Sequence, residues 1–178
     1  LTHGHADHIA GLSGAIAKRK VGTKWFGNVK RGTTARFGEM DVKVLWPDQG
    51  SYDENNSSIA VRIDSPDFSL FAGGDMEPLT QVMIASELAK VDIYKVSHHG
   101  SAYQDEGFTR ALDPQLALIS VGAENSYGHP AASTLALLRQ VGAKVLRTDT
   151  DGAIAVRARR HRLQVKTSKN RFTYLRWE

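Results

Sequence analysis

Leu1-Thr-His-Gly-His-Ala-Asp-His-Ile-Ala-Gly11 carries four side chains able to bind a metal ion within six positions: His3, His5, Asp7 and His8. On extended backbone successive side chains alternate faces, so His3, His5 and Asp7 share one side and His8 demands a change of direction. An apolar helical pattern begins directly after His8. A strand-to-helix turn of this kind offers two imidazoles to one metal ion, and a carboxylate plus an imidazole to a second. One histidine near a chain end is an ordinary surface residue; four donors at this density are not.

The rest of the chain bounds what such a centre can be. Its 178 residues are 41% hydrophobic and 24% charged, the composition of a globular protein, and the length suits one domain over residues 1–178. No stretch is apolar for long enough to span a bilayer as a helix. With no cysteine there is neither a disulfide nor a sulfur ligand, so any metal is held by nitrogen and oxygen. Residue 1 already lies inside the motif, so the chain reads as part of something longer.

Beyond the motif, Ile9, Leu12 and Ile16 recur at helical spacing, and Lys18, Arg19 and Lys20 suit the last turn of an amphipathic helix. Val42, Val44 and Trp46 alternate as a strand. Residues 59–63 and 68–72 read as two strands joined by a hairpin, the second ending in Gly73-Gly74-Asp75. Pro78 opens a helix expected to reach about Lys90, with Leu79, Val82, Met83 and Leu88 facing inward. Residues 91–96 form a strand running into Ser97-His-His-Gly-Ser101. A short helix near residues 108–112 precedes a strand over 116–121, which ends in Gly122-Ala-Glu-Asn-Ser-Tyr-Gly-His-Pro130. A helix over 133–141, with Leu135 and Leu138 inward, and strands over 145–148, 153–159 and 163–167 complete the pattern.

One event repeats: a strand ends in a loop bearing His or Asp, and a helix follows. It occurs at Asp7/His8, Asp75, His98/His99 and His129. In layered α/β folds such loops gather at one sheet edge, where sites form. His161, between Arg160 and Arg162, stands outside the pattern and reads as a surface residue.

Charge is uneven. Residues 157–178 hold eight Lys or Arg against one acidic residue, while the chain as a whole has a net charge of +4. A basic end on a slightly acidic body suits a polyanion, or is equally a solvated strand surface. The aromatics Phe172, Tyr174 and Trp177 alternate there and can stack on bases, although core packing is the commoner role of such a stripe.

These residues carry a resemblance. Thr2-His-Gly-His-Ala-Asp-His8 resembles the His-x-His-x-Asp-His signature of the metallo-β-lactamase superfamily. Gly74-Asp75, His98-His-Gly-Ser101, Asn125-Ser-Tyr-Gly-His-Pro130 and Thr148-Asp-Thr-Asp-Gly152 are similar to the C-terminal metallo-β-lactamase-like domain of ComEC-type competence DNA-uptake channel proteins. The resemblance implies an α/β fold of the αββα type, with layered sheets flanked by helices and its N-terminal strands missing from this chain. Where many superfamily hydrolases place another metal-binding histidine, this chain has Glu54-Asn-Asn-Ser-Ser58. A site poorer in nitrogen tilts the cofactor from Zn2+ toward Mn2+.

By the same resemblance His3 and His5 bind one divalent ion, Asp7 and His8 a second, and Asp75 bridges them. His98 is the preferred further ligand, with His99 the alternate. Asp7, His99 and His129 are the candidate catalytic residues. His129 binds phosphate or protonates the leaving oxygen, or else is a turn or helix-capping histidine. Arg157, Arg159, Arg160, Arg162 and Ser101 are candidate contacts to a single-stranded DNA backbone without sequence preference.

The implied function is metal-dependent hydrolysis of DNA during uptake in natural transformation. The domain would be tethered to a membrane channel domain of its parent, on the periplasmic side of the cytoplasmic membrane. Two other readings share these motifs: a phosphoesterase or lactonase on the same fold, and a non-catalytic DNA-binding metallo-fold.

Overall fold

A computed structural model describes residues 1–26, 29–50, 52–160 and 162–169, and the backbone of 173–175. His161, Phe172 and Trp177, and the side chain of Tyr174, lie outside the described residues. The helical pattern after the motif forms as two short helices, α1 (Ala6–Ile9) and α2 (Leu12–Lys18), parted at Ala10-Gly11. Neither helix has a buried residue, and Ile16 is exposed. The single amphipathic helix expected here is therefore not observed. Gly11 and Gly14 weaken a segment whose apolar stripe is only three residues long, and the partial burial of Ile9 and Leu12 offsets little of that cost.

The next four strands form an antiparallel meander: β1 (Thr34–Phe37), β2 (Met40–Trp46), β3 (Ala60–Asp64) and β4 (Ser69–Ala72). Alternation along β2 buries Val42, Val44 and Trp46 as its sequence predicts. A register shift between Val44 and Trp46 turns Leu45 inward as well.

Helix α3 (Pro78–Ala85) separates β4 from β5 (Ile93–Lys95), and a 3-10 turn at Ser97–Gly100 with helix α4 (Glu106–Leu112) leads to β6 (Leu116–Ile119). Helix α5 (Ala132–Gln140) leads on to β7 (Lys144–Arg147), and α6 (Thr148–Asp151) follows at once. Strands β4 to β7 pair in parallel, so the seven-stranded sheet runs in the order β1 to β7. Strands β8 (Ile154–Arg159), β9 (Arg162–Thr167) and β10 (Thr173–Leu175) make a second, antiparallel sheet.

Each face of the large sheet carries a core, and Val29, Val44 and Ile59 form a third, smaller cluster. Trp46, Phe71, Tyr94 and Ile119 pack with Phe108, Leu112 and Leu138 from the helices. Ile93, Leu116 and Leu146 point the other way and meet Leu163 and Val165 of the second sheet. Adjacent Ile93 and Tyr94 fall in opposite cores, the alternation a strand covered on both faces requires. Each of these fully buried large side chains contributes roughly 1.5–3 kcal/mol.

Helix α3 departs from its expected form. It stops at Ala85, and Leu79, Val82 and Met83 are 64%, 57% and 45% exposed. The buried positions are Thr80, Gln81 and Ile84. Thr80 Oγ1 donates to Asn56 Oδ1 at 2.8 Å, Gln81 Nε2 donates to the Met76 carbonyl at 2.9 Å, and Gln81 Oε1 accepts from the Asp105 amide at 2.6 Å. Satisfied polar groups, rather than the apolar stripe, fix the rotation of this helix.

Because β4 to β7 are parallel, their C-terminal ends share one edge. Gly73-Gly74-Asp75, Ser97-His98-His99, the loop of residues 120–131 and Thr148 all emerge there.

Candidate metal centre

The first residues are tied to that edge. The Ile59 amide donates to the Thr2 carbonyl at 2.9 Å, and the Gly4 amide donates to Glu54 Oε1 at 2.8 Å. Gly74 has φ +58, and a Cβ there would lie 2.7–2.8 Å from Ser58 and Thr2 atoms, so glycine is required for this close approach. His5 is still extended, but α1 starts at Ala6, which places Asp7 and His8 on helical backbone. The turn thus comes two residues earlier than strict alternation predicts.

Four side chains converge on one point. One ligand atom from each of Asp7, His8, Asp75 and His99 lies within 4.8 Å of all the others. Asp75 Oδ2 is 3.2 Å from His8 Nε2 and 3.6 Å from His99 Nε2, and Asp7 Oδ2 is 3.1 Å from His99 Nε2. Beside this group His3 Nε2 lies 3.8 Å from Asp75 Oδ2 and 3.0 Å from His5 Nδ1.

The two adjacent histidines do not alternate as they would on a strand. Both are left-handed, His98 at φ 46 and His99 at φ 51. His99 enters the four-residue group. His98 Nε2 stands 4.0 Å from Asp75 Oδ2, and its Nδ1 lies 3.0 Å from Glu77 Oε1. The structure therefore puts the alternate histidine, not the preferred one, closest to Asp7 and His8.

Supporting contacts orient these rings. His99 Nδ1 donates to the Ser120 carbonyl at 2.7 Å, and His8 Nδ1 lies 2.8 Å from Thr2 Oγ1. Ser58 Oγ, fully buried, accepts from the Asp75 amide at 2.9 Å and lies 3.0 Å from His3 Nδ1. Nothing in the spacing of Glu54-Asn-Asn-Ser-Ser58 reveals these partnerships, since they arise only when β3 and β4 pair.

Burial disfavours ionisation of Asp75, yet the hydrogen bond from His8 and the charges of His99, His8 and His98 outweigh it, holding the carboxyl below its usual range. Burial, then the neighbouring His8, lowers His3 to about 4. Burial, then His98 and His99, lowers His129. Lys95 joins the site's surroundings with no sequence signal to announce it. Burial depresses its pKa against the opposing charge of Asp75, and its Nζ donates to the Val96 carbonyl at 3.1 Å.

A cleft of about 500 Å³ lies over this group, lined by His5, Asp7, Asp75, His98, His99 and His129 among others. Its far wall is the loop from Gly122 to Pro130. Asn125 ties that loop to itself: its Oδ1 accepts from the His129 amide at 3.1 Å, and its Nδ2 donates to the His129 carbonyl at 2.9 Å. Thr148 Oγ1 both accepts from the Val121 amide and donates to its carbonyl, at 2.7 Å each. The His129 ring faces that of His98 at 5.4 Å, and Ala131, not His129, is the N-cap of α5.

The expected nucleic-acid contacts lie elsewhere. Ser101 is fully buried; its hydroxyl accepts from the Tyr103 amide at 3.3 Å and its carbonyl from Thr134 Oγ1 at 2.5 Å. It cannot touch a polyanion there. Arg157 is exposed on β8, while Arg159, Arg160 and Arg162 surround a hollow of about 330 Å³ at the β8–β9 turn. The Arg160 amide donates to Asp67 Oδ1 at 2.6 Å. Asp67 precedes β4 and Asp75 follows it, so this basic turn sits at the opposite end of the sheet from the Asp7, His8, Asp75 and His99 cluster. A charge cluster in sequence reports exposure, not the edge on which it emerges.

No protein-family model matches the chain. ComE operon protein 3 of Bacillus subtilis (strain 168) is 36% identical over 133 residues, which is 72% of this chain and 17% of the relative. Competence protein ComA of Neisseria gonorrhoeae is 27% identical over 167 residues, 86% of this chain and 24% of the relative. Among solved structures, Igni18, a metallo hydrolase of the archaeon Ignicoccus hospitalis KIN4/I, matches with TM-score 0.59 at 14% identity, over 100% of this chain and 78% of that one. The chain is a ComEC-type metallo-β-lactamase-like domain. The ComEC-type domain spans a quarter or less of these curated relatives. CmlA, a diiron β-hydroxylase of Streptomyces venezuelae, shares its fold with TM-score 0.54 at 17% identity, over 82% of this chain and 42% of that one. One fold thus carries different metal chemistries, and the reaction must be argued from the site. No helix among the described residues is long and apolar enough to cross a membrane.

Proposed function

We propose that this domain hydrolyses phosphodiester bonds of single-stranded DNA during DNA uptake, using two divalent cations. The observation that carries the reading is the convergence of Asp7, His8, Asp75 and His99 beneath an open cleft, with His3 and His5 alongside. The competence proteins among its relatives supply the biological setting.

The donor set fits a cation. Asp75 Oδ1 is buried with no hydrogen-bond partner among the described residues, an arrangement that is costly unless a ligand satisfies it. A carbonyl can only accept, so His99 carries its proton on Nδ1 and turns the Nε2 lone pair toward the cluster. His3, with its pKa near 4, is neutral at neutral pH and so retains one ring lone pair. Asp7, His8, His99 and Asp75 would hold one ion, and His3, His5 and Asp75 the other. Carboxylates and imidazoles without sulfur suit Mn2+ or Zn2+. Such ions, when bound, supply a water of lowered pKa and neutralise charge developing on a phosphoryl oxygen.

The chain's own residues complete the chemistry. His98 and His129 line the cleft next to each other, within its wall beside Asp75, where a phosphate seated over Asp75 would present its leaving oxygen. The lowered pKa of His129 favours hydrogen-bond donation from a neutral ring over full proton transfer. Asn125 fixes the backbone of His129, so that donor is pre-organised.

The test is cleavage of labelled single- and double-stranded oligonucleotides by chelator-stripped protein reloaded with Mn2+, Mg2+ or Zn2+. Cleavage of single strands that is lost on His8→Ala or Asp75→Ala supports the reading. Absence of cleavage with every metal, or undiminished cleavage by both variants, overturns it. The domain's connection to a membrane channel and its periplasmic placement are part of the same proposal and require the full-length protein.

A further inference from the structure

Tyr127 lies outside both cores of the large sheet. Tyr127 is 82% exposed, at the lip of the cleft above the metal-binding group. It also lines an adjoining hollow of about 360 Å³ that shares Asp7, His99 and His129 with the main cleft. Its ring lies parallel to the His129 imidazole, with centroids 6.0 Å apart and planes at 20°. Gly128, at φ +74, makes the tight turn that brings residues 127 and 129 to the same side. The backbone beneath is held by Asn125, which also donates to the Gly122 carbonyl at 3.0 Å.

An exposed ring normally costs apolar hydration and gains little. This one is almost wholly exposed, lies nearly parallel to and offset from His129, and is carried by a pinned loop. Aromatic side chains offer a large rigid surface at low entropy cost, and every nucleobase has a π-face. Within a duplex that face is covered by neighbouring bases. A base resting on this ring must therefore be unpaired and unstacked on at least one side.

We propose that Tyr127, backed by His129, is a stacking platform for one nucleobase beside the scissile phosphate, and that it confers preference for single strands without reading sequence. The proposal rests on the reading of the cleft as a DNA site. It assigns to one side chain the discrimination that the remote arginines of the β8–β9 turn are too far away to make.

The test uses short single-stranded oligonucleotides carrying 2-aminopurine, whose fluorescence is quenched on stacking, and chelator-stripped protein, so that binding is read apart from turnover. Tyr127→Ala should weaken binding about 5- to 150-fold and abolish quenching, the range that base–aromatic stacking carries. Tyr127→Phe, which keeps the ring face, should bind within about two-fold of the parent. An abasic site introduced at the quenched position should be non-additive with Tyr127→Ala, because both remove the same stacked pair. Unchanged binding by Tyr127→Ala, equal losses for the Phe and Ala variants, or no binding by the parent overturns the platform. Binding and quenching by a parent that fails to cleave DNA with any of the three metals would sustain the platform and dismiss the nuclease. Cleavage by the parent with Tyr127→Ala binding normally would do the reverse.

Discussion

The Nδ1 of His99 donates to the backbone carbonyl of Ser120 across a 2.7 Å hydrogen bond. That single interaction, between the loop after β5 and the end of β6, fixes which nitrogen of His99 faces Asp7, His8 and Asp75. Partners of this kind commonly account for 10- to 100-fold in metal affinity.

His99→Ala should therefore remove one equivalent of bound metal, whereas His98→Ala, whose ring pairs with Glu77, should retain it with weaker affinity. Metal content after dialysis against limiting Mn2+, measured by elemental analysis, distinguishes the two. Equal loss in both variants would show that the histidines act as one ligand unit.

Ser58 is expected to matter for stability as well as for metal. Its hydroxyl is the partner of the buried Asp75 amide and neighbours His3. Ser58→Ala leaves that amide without a partner, at about 1–3 kcal/mol. Urea denaturation of the metal-free protein should show the loss as a lower midpoint at unchanged slope. A midpoint equal to that of the parent would mean that water replaces the hydroxyl.

Acid should destabilise the metal-free domain through His3. Its folded pKa is about 4, against an unfolded value of about 6.5. Between those values the unfolded chain binds the extra proton, so stability falls as pH drops from about 6.5 toward 4 and levels off below. Asp75 behaves differently. Its carboxyl is depressed, so its contribution is complete above the unfolded carboxylate value and is lost only at lower pH. A series of urea midpoints across this range should show a steeper fall for the parent than for His3→Gln. Parallel curves would assign the proton to another group.

The basic β8–β9 turn makes a prediction that depends on strand length. Arg159→Glu with Arg160→Glu should leave cleavage of short oligonucleotides intact, because Asp67 holds that turn at the far end of β4. On long strands the same pair should flatten the salt dependence of binding, by about 0.7 in the log–log slope for each phosphate that is no longer neutralised. A large effect on short substrates would bring the arginines into the cleft.

The strands and the His- and Asp-bearing loops at their ends were legible because each depends on local rules. Alternation marks β2, glycines mark the turn before Asp75, and the density of His and Asp marks the motif. Orientation was not. Which of His98 and His99 faces the cluster depends on two left-handed residues that no side-chain pattern announces. The inward face of α3 follows from Asn56, Met76 and Asp105, all outside the helix itself. The run of arginines near the β8–β9 turn signals an exposed surface, but its position is set by how the second sheet meets the start of β4.

The left-handed pair at His98 and His99 has a consequence for engineering. Such backbone costs a non-glycine residue of order 1–3 kcal/mol, and glycine adopts it freely. Replacing His98 by glycine should thus yield a hardier protein with a poorer centre. Stability and activity pull in opposite directions at this turn. Variants selected only for heat tolerance would be expected to lose histidine there first.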